Sequence, residues 1–267
     1  MIRKRLAPVL SLQPLSALNH FVLTFDAGEI AADAQPGQFI AVAATSPANP
    51  GAQILRKPFS FFTADPETGV ASILFSLFGP TTRAMASYRS GDTLDLIGPL
   101  GGRVFSPAAG AQTHHVLVGG GYGVPPLAFF GRRIKAADPS ATVTLVLGAR
   151  TANLLVGADG LPEAGIEVLA CTDDGSAGFS GKVTGRLEQI LGESDRPVCV
   201  YTCGPTPMMR AVAQLCLARG VACQVSMETF MPCGVGICVG CAVGRPDGTY
   251  ARACTDGPVF PAGEIVW

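Results

Sequence analysis

The sequence contains few charged residues. Asp, Glu, Lys and Arg make up only 15% of its 267 residues, against about 25% in an average globular protein. The 19 basic and 20 acidic residues leave a net charge of −1, so no basic surface indicates binding to nucleic acid or to anionic lipid. Hydrophobic residues account for 48% of the chain, and this share excludes an intrinsically disordered protein.

Long apolar segments are also lacking. The longest run without Asp, Glu, Lys or Arg covers 104–131, and it is broken by two histidines, a glycine-rich stretch and Pro125-Pro126. Such a run predicts no membrane-spanning helix. The apolar N-terminal stretch is interrupted by Pro8 and Pro14, so the apolar core of a signal peptide does not form. We therefore expect a first β-strand there and a cytoplasmic protein.

The chain contains nine cysteines, an odd number, and they are few for its length. This number and density are unlike those of a small domain held together by disulfides. Four of them, Cys233, Cys238, Cys241 and Cys254, have the spacing C-x4-C-x2-C-x12-C. This is the plant-type pattern of a [2Fe–2S] cluster, and the glycines between the cysteines allow the loop to turn its amides toward the sulfurs. The alternative is a zinc site, which ordinarily has one C-x2-C knuckle on each side of a spacer.

The distribution of turn residues and apolar runs divides the chain into three parts. Over 1–103, short apolar runs separated by Gly, Pro, Asp and Asn predict an antiparallel β-barrel. Over 104–222, strands alternate with helix-length segments and predict a parallel α/β sheet. The part from 223 to 267 is rich in Gly and Cys, and we expect little regular structure in it beyond the metal-binding segment. The predicted fold is therefore mixed, with three domains.

A glycine-rich loop follows the first predicted strand of the α/β part and precedes a helix. Its glycines allow a backbone to approach a pyrophosphate at the positive end of the helix dipole. They are Gly119, Gly120, Gly121 and Gly123. The spacing departs from G-x-G-x-x-G, and a plain strand–helix turn is the alternative.

The tripeptide Cys203-Gly204-Pro205 ends another predicted strand and opens a helix. Ligands of open α/β sheets collect at the carboxyl ends of the strands. We therefore expect this loop and the glycine-rich loop to face one crevice. The alternative for Cys203 is a structural, buried cysteine.

A third motif lies in the predicted barrel. Two cations, a proline-fixed strand, an aromatic ring and a hydroxyl suit a diphosphate with a flat ring nearby. The residues are Arg56, Lys57, Pro58, Phe59 and Ser60. The alternative is an edge strand that charge and proline protect from aggregation.

The order of barrel, α/β part and four-cysteine segment resembles the ferredoxin-reductase-type flavoprotein family. Within it, the chain is similar to the electron-transfer subunits of NAD-dependent dihydroorotate dehydrogenases. The resemblance covers nearly the whole chain, and its most specific motifs are 118–127, 171–176, 201–210 and the cysteine segment followed by 256–260. It implies an FAD-binding barrel over 1–103, an NAD-binding domain over 104–222 and a [2Fe–2S] domain over 223–267.

The resemblance also implies residue roles. The flavin motifs of the family fall on three short stretches: Lys57, Pro58, Phe59 and Ser60; Leu74, Phe75 and Ser76; Thr81 and Thr82. Lys57 and Ser76 stand where arginine is usual, and Thr81 replaces a glycine. Arg56 is the candidate substitute for the missing arginine. NAD is expected over the glycine-rich loop and the turn at Gly204 and Pro205, with Cys203 as the catalytic residue.

The implied partner is a separate FMN-containing subunit that oxidises dihydroorotate to orotate in pyrimidine biosynthesis, in a heterotetramer of two plus two. Nicotinamide moves two electrons and an iron–sulfur cluster moves one, so a flavin must lie between them. Some relatives carry Asp at the first cluster ligand, where this chain has Cys233. Two alternatives are an NAD(P)H-dependent reductase subunit of another redox complex, such as a hydrogenase or an oxygenase, and a zinc-stabilised, non-catalytic assembly module.

Overall fold

The computed structural model describes residues 1–15, 19–44, 55–110 and 112–267. In these ranges, two seven-stranded sheets and a two-stranded hairpin form the framework. No helix within the described ranges is long and apolar enough to span a membrane.

The N-terminal sheet is antiparallel, with the strand order β4-β3-β7-β1-β2-β6-β5. Its interior holds large apolar side chains, among them Phe25, Ile73 and Leu94, which are inaccessible to solvent. Along β1 the inward Ala7 and Val9 alternate with exposed neighbours, as a strand with one buried face requires. The elements are β1 (Arg3–Pro14), β2 (His20–Asp26), α1 (Glu29–Asp33), β3 (Phe39–Ala43), β4 (Lys57–Ser60), β5 (Thr63–Ala64), β6 (Val70–Ser76), α2 (Pro80–Met85) and β7 (Thr93–Leu100).

The second sheet is parallel except for its last strand, with the order β11-β10-β9-β8-β12-β13-β16. Its central strand β8 buries Val116, Leu117 and Val118 completely, because helices cover both faces of a parallel sheet. The elements are β8 (His114–Gly120), α3 (Val124–Ala137), β9 (Thr142–Ala149), β10 (Glu167–Thr172), β11 (Phe179–Ser180), α4 (Val183–Glu193), β12 (Val198–Cys203), α5 (Thr206–Ala218), β13 (Ala222–Ser226), β14 (Ala242–Gly244), β15 (Tyr250–Arg252) and β16 (Val259–Pro261), with 3₁₀ turns at Gly121–Gly123, Ala152–Leu154 and Ala262–Glu264.

The predicted fold class is confirmed, since an antiparallel half precedes a parallel α/β half and the cysteine segment follows. As expected, the C-terminal part has little regular structure, with only three three-residue strands and one 3₁₀ turn in the described residues after β13. Strands β14 and β15 form a hairpin there, and β16 pairs antiparallel with β13. A three-residue strand has no periodicity to detect, so only the tertiary pairing defines it. The residue boundaries of the three domains stay predictions.

The segment between the two sheets is fixed by Tyr201, which is fully buried on β12. Its hydroxyl accepts a hydrogen bond from the Ala108 amide at 2.9 Å and lies 3.1 Å from His115 Nδ1. Phe105 stacks on Phe130 with ring centroids 5.3 Å apart, and its amide donates to the Pro36 carbonyl of the first half. The segment between the two sheets is therefore attached to both halves of the chain.

Replacing Tyr201 with Phe should lower the free energy of unfolding by about 1–2 kcal/mol, because the half-buried Ala108 amide and the buried His115 each lose a partner. Urea unfolding followed by circular dichroism measures the change. The matched control is Tyr250→Phe, at a residue that is 74% exposed. Equal stability of the two variants would contradict the role given to the Tyr201 hydroxyl.

Candidate functional site

A cavity of about 810 Å³ opens between the two halves of the molecule. Most of the barrel residues of the predicted flavin motifs line it: Lys57, Pro58, Phe59, Ser60, Leu74, Phe75, Ser76, Thr81 and Thr82. The opposite wall comes from the second half of the chain: Tyr122, Pro125, Cys203, Ser226, Met227, Glu228, Thr229, Met231 and Pro258. The structure thus brings three predicted motifs of the barrel together on one surface, with Cys203 facing them.

The glycine-rich loop and the Cys203-Gly204-Pro205 turn are in direct contact. Their strands β8 and β12 are neighbours, and Cys203 pairs with Gly119. A Cβ at Gly123 would lie 2.0 Å from the Cys203 carbonyl oxygen, and one at Gly204, where φ is +143°, would lie 2.8 Å from the Gly120 oxygen. Only glycine permits this approach of two backbones. The loops therefore form one surface at the carboxyl edge of the sheet, from which α3 and α5 begin.

Arg56 does not line the cavity. Its Nη2 atom donates to both carboxylate oxygens of Asp95 on β7, each at 2.9 Å, and its Nη1 donates to the Asp95 carbonyl at 3.0 Å. This partly exposed ion pair engages the guanidinium against β7, whereas the neighbouring Lys57 lines the cavity. The candidate substitute for the family's arginine is thus engaged elsewhere.

Two hydroxyls of the predicted flavin motifs also have protein partners. The Thr82 hydroxyl accepts hydrogen bonds from the amides of Phe78 and Gly79, at 2.9 and 3.1 Å, and so shapes the start of α2. The Ser76 hydroxyl is hydrogen-bonded to the hydroxyl of Tyr122. This contact joins β6 of the barrel to the glycine-rich loop across the cavity. Sequence reasoning did not single out Tyr122, since an aromatic residue within a glycine loop carries no specific signal.

Cys203 and Glu228 face each other in the cavity wall. Burial, together with the nearby Glu228 carboxylate, raises the pKa of the Cys203 thiol far above its usual value. Burial likewise raises the pKa of Glu228. Both groups are therefore held in their protonated forms over a wider pH range than in water. Glu228 was missed at the sequence level, although its position just after β13, at the carboxyl edge of the sheet, was an available signal.

Thr229 gives an independent indication of a ligand. Its hydroxyl oxygen is buried and has no hydrogen-bond partner within the described part of the chain, and the residue lines the cavity. A buried hydroxyl without a partner is costly. A ligand with polar groups and a flat ring, such as a flavin, fits a cavity that offers this hydroxyl, Lys57, and the aromatic rings of Phe59 and Phe75.

The four cysteines of the C-terminal segment lie as two pairs. Cys241 Sγ and Cys254 Sγ are 3.2 Å apart and buried. Cys233 interacts with Cys238, whose sulfur accepts a hydrogen bond from the Gly240 amide at 3.4 Å. Among the described residues, no group of three or more His, Cys, Asp or Glu side chains is arranged to hold a single metal ion. Two thiol pairs fit a dinuclear cluster, in which each iron takes two thiolates.

The backbone around Cys233 favours a thiolate. Burial opposes ionisation, but the backbone amides of Cys238, Val235 and Ile237 interact with the sulfur and lower the pKa of Cys233 to about 6. At Cys254, burial and the hydrogen bond with Cys241 raise the pKa to about 12, although the Gly236 amide acts in the opposite direction. Metal binding removes the proton from such a thiol. The loop thus turns its amides toward the sulfurs, as a negatively charged cluster requires.

The cysteine loop also contacts the cavity wall. Met231, two residues before Cys233, lines the cavity. A Cβ at Gly234 would lie 3.3 Å from Leu100 and 3.7 Å from Phe39, which lines the same cavity. The thiols are therefore adjacent to the surface that carries the predicted flavin motifs.

Comparison with known proteins agrees with this geometry. Residues 117–214 match the family model of the oxidoreductase NAD-binding domain, and residues 228–266 match the iron-sulfur cluster binding domain of dihydroorotate dehydrogenase B. A chain of the NADH-dependent reduced ferredoxin-NADP oxidoreductase has a TM-score of 0.83 and 29% identity over 98% of this chain and 90% of its own. The ferredoxin NADP+ reductase from Neisseria gonorrhoeae shares the fold, with a TM-score of 0.61. It is 17% identical in sequence, and the match covers 82% of this chain and 92% of its own.

The fold and the cysteine segment thus define an oxidoreductase of the ferredoxin-reductase-like class. The electron transfer subunit of dihydroorotate dehydrogenase B (NAD(+)) from Geobacillus kaustophilus is 37% identical over 95% of both chains, and that from Desulforamulus reducens is 34% identical over 94% of both. The chain belongs to this family of electron transfer subunits. The predicted resemblance is confirmed.

Replacing Gly123 with Ala should lower the free energy of unfolding by about 2–3 kcal/mol, because the new methyl group overlaps the Cys203 carbonyl and must push two loops apart. We also expect weaker NADH binding, measured by isothermal titration calorimetry. Gly192→Ala is the matched control, since nothing lies within 4 Å of a Cβ there. A Gly123→Ala protein with the stability and NADH affinity of this control would rule out the tight approach.

Glu228 should make stability depend on pH in a defined direction. Its pKa is raised from 4.5 in the folded protein, so the folded state holds the proton more tightly than the unfolded chain. The resulting stabilisation is complete at low pH and is lost as the pH rises through the folded-state value. Relative to the parent, Glu228→Gln should therefore become more stable as the pH is raised from 4.5 to 7.5, by less than about 1 kcal/mol for a side chain open to a cavity.

Urea unfolding at the two pH values measures this difference. The control is Glu163→Gln, on an exposed loop. Its free energy of unfolding should differ from that of the parent by the same amount at both pH values. A Glu228→Gln variant that loses relative stability on going to the higher pH would refute the assignment.

Proposed function

We propose that this chain carries electrons between NAD(H) and a partner subunit, with FAD in the cavity and a [2Fe–2S] cluster on Cys233, Cys238, Cys241 and Cys254. The observation that carries the proposal is the shared wall of the cavity. One surface joins the barrel motifs, the Cys203 edge of the α/β sheet and the residues that lead into the cysteine loop. A flavin exchanges two electrons with nicotinamide and single electrons with an iron–sulfur cluster.

The residues of this chain then have separate tasks. Lys57 offers a charge to the flavin diphosphate, but as a point charge and not as the bidentate fork of arginine. The Thr229 hydroxyl gains the partner that it lacks. The glycine-rich loop and the Gly204-Pro205 turn offer backbone amides and two helix N-termini to the NAD pyrophosphate.

Cys203 and Glu228 line the cavity and would lie beside FAD bound in it. Burial keeps the Cys203 thiol protonated, so beside a bound cofactor it would serve as a small apolar group and not as a nucleophile. Glu228, with its raised pKa, can hold or release a proton in the same place. The catalytic contribution of Cys203 would thus be to shape the wall of the cavity in which the cofactors react.

The partner side of the proposal rests on the exposed face of the cysteine loop. Ile237 and Val239, which flank Cys238, are 82% and 54% exposed. Exposed apolar residues beside a redox centre suit a partner surface. We propose an FMN-containing dihydroorotate dehydrogenase subunit as the partner, in a two-plus-two heterotetramer in the cytoplasm.

The decisive experiment is reconstitution. The holoprotein is mixed with the FMN-containing dihydroorotate dehydrogenase subunit, and NAD reduction by dihydroorotate is followed at 1:1 stoichiometry. We expect orotate and NADH to form only when both subunits are present. Zinc in place of iron, failure to retain FAD, or transfer to another redox partner but not to this one would overturn the proposal.

Replacing Cys238 with Ser should abolish the cluster and reduce electron transfer to the partner by at least about 100-fold, because one iron loses a ligand. NADH oxidation by an artificial two-electron acceptor should persist, since it needs only the flavin. Iron content, visible absorbance and the two assays measure these effects. The control is Cys171→Ala, a buried thiol in β10. Undiminished transfer in Cys238→Ser would contradict the proposed path.

A further inference from the structure

Arg252 connects the two ends of the cysteine segment. It lies at the end of β15, two residues before Cys254, and its Nη1 atom donates to the Gly236 carbonyl at 3.0 Å. Asp256 also contacts Arg252. Its carboxylate accepts a hydrogen bond from the Arg252 backbone amide at 2.8 Å and lies 3.5 Å from the Arg252 Nε atom. The guanidinium is thus held by one carboxylate while it reaches into the loop between Cys233 and Cys238.

The contacted carbonyl belongs to the peptide unit whose N–H is that of Ile237. This N–H is one of the amides that interact with the Cys233 sulfur. The preceding peptide unit supplies the Gly236 N–H, which interacts with Cys254. A cation on the carbonyl side of a peptide polarises it and strengthens the hydrogen bond that its N–H donates. The charge of Arg252 therefore acts on the Cys233 sulfur indirectly, through the polarisation of one peptide unit.

We propose that Arg252 is a positioning residue that raises the reduction potential of the iron–sulfur cluster by polarising the Gly236–Ile237 peptide. Reduction adds one negative charge to the thiolate-bound centre, so a strengthened N–H donor stabilises the reduced form more than the oxidised form. Because the Arg252 side chain is 42% exposed, solvent screens the direct effect of its charge on the cluster, and the larger share comes from the charge-assisted character of its hydrogen bond to the Gly236 carbonyl. The inference rests on the proposed function only in requiring the cluster.

A purely structural role makes a different prediction. If Arg252 only kept the loop in place, any side chain that donates a hydrogen bond to the Gly236 carbonyl would keep the native potential, with or without a charge. Arg252→Gln keeps an N–H donor and removes the charge, whereas Arg252→Lys keeps the charge. Asp256→Asn removes the negative charge behind the guanidinium, so its effect should have the opposite sign to that of Arg252→Gln.

The test is a redox titration of the cluster in the FAD-loaded holoprotein, followed by electron paramagnetic resonance. Arg252→Gln should shift the equilibrium toward the oxidised cluster by about tenfold, which is 59 mV to lower potential for a one-electron couple. Arg252→Lys should keep most of the native potential, and Asp256→Asn should shift it upward. The matched control is Arg219→Gln, whose guanidinium pairs with Glu188 on α4; its potential should equal that of the parent.

Iron content and thermal unfolding accompany each titration. Loss of the cluster in Arg252→Gln but not in Arg252→Lys supports the need for a charge. Unchanged potential in Arg252→Gln, equal shifts in the two arginine variants, or loss of iron from both would overturn the inference. A parent protein with no signal of a reduced [2Fe–2S] cluster would instead refute the proposed function, so the two failures are distinguishable.

Discussion

The antiparallel pairing of β13 with β16 is the constraint on which the functional arrangement depends. Ser226 pairs with Val259, and the Met227 amide donates to the Pro258 carbonyl at 2.9 Å. Residues 227–258 therefore leave and rejoin the same edge of the same sheet, beside the carboxyl end of β12. Because its two ends are paired with each other, this segment must begin and end at the cavity, whatever the position of its middle residues.

The same segment is clamped against the barrel. The amides of Gly102 and Arg103 donate to the Gly257 carbonyl at 2.7 and 2.9 Å, and a Cβ at Gly102 would lie 1.8 Å from the Thr255 carbonyl oxygen. Backbone contacts on both sides thus set the separation between cavity and thiols, and side-chain rotamers have little influence on it. Electron transfer over a fixed gap benefits from this rigidity, since the groups that exchange electrons need no rearrangement.

The sequence predicted what periodicity and spacing encode: the antiparallel half, the alternating α/β half and the cysteine pattern. It did not predict β16, whose three residues find their partner only through the fold. Nor could it separate Arg56 from Lys57, because the choice depends on Asp95, which is 39 positions away in sequence. Thr229 is a residue type that is ordinarily exposed, and only the fold shows that its hydroxyl is buried beside the cavity.

The cysteines lie in two kinds of environment, the buried strands and helices and the glycine-rich C-terminal loop. Burial raises the pKa of Cys171 and Cys199 within strands, and these thiols stay protonated and inert. At Cys233 the amides of a glycine-rich loop outweigh burial and lower the pKa to about 6. The thiolate is the form that binds metal. A strand uses its amides to pair with neighbouring strands, whereas amides of this loop are free to face the Cys233 sulfur, on the segment that β13 and β16 hold beside the cavity.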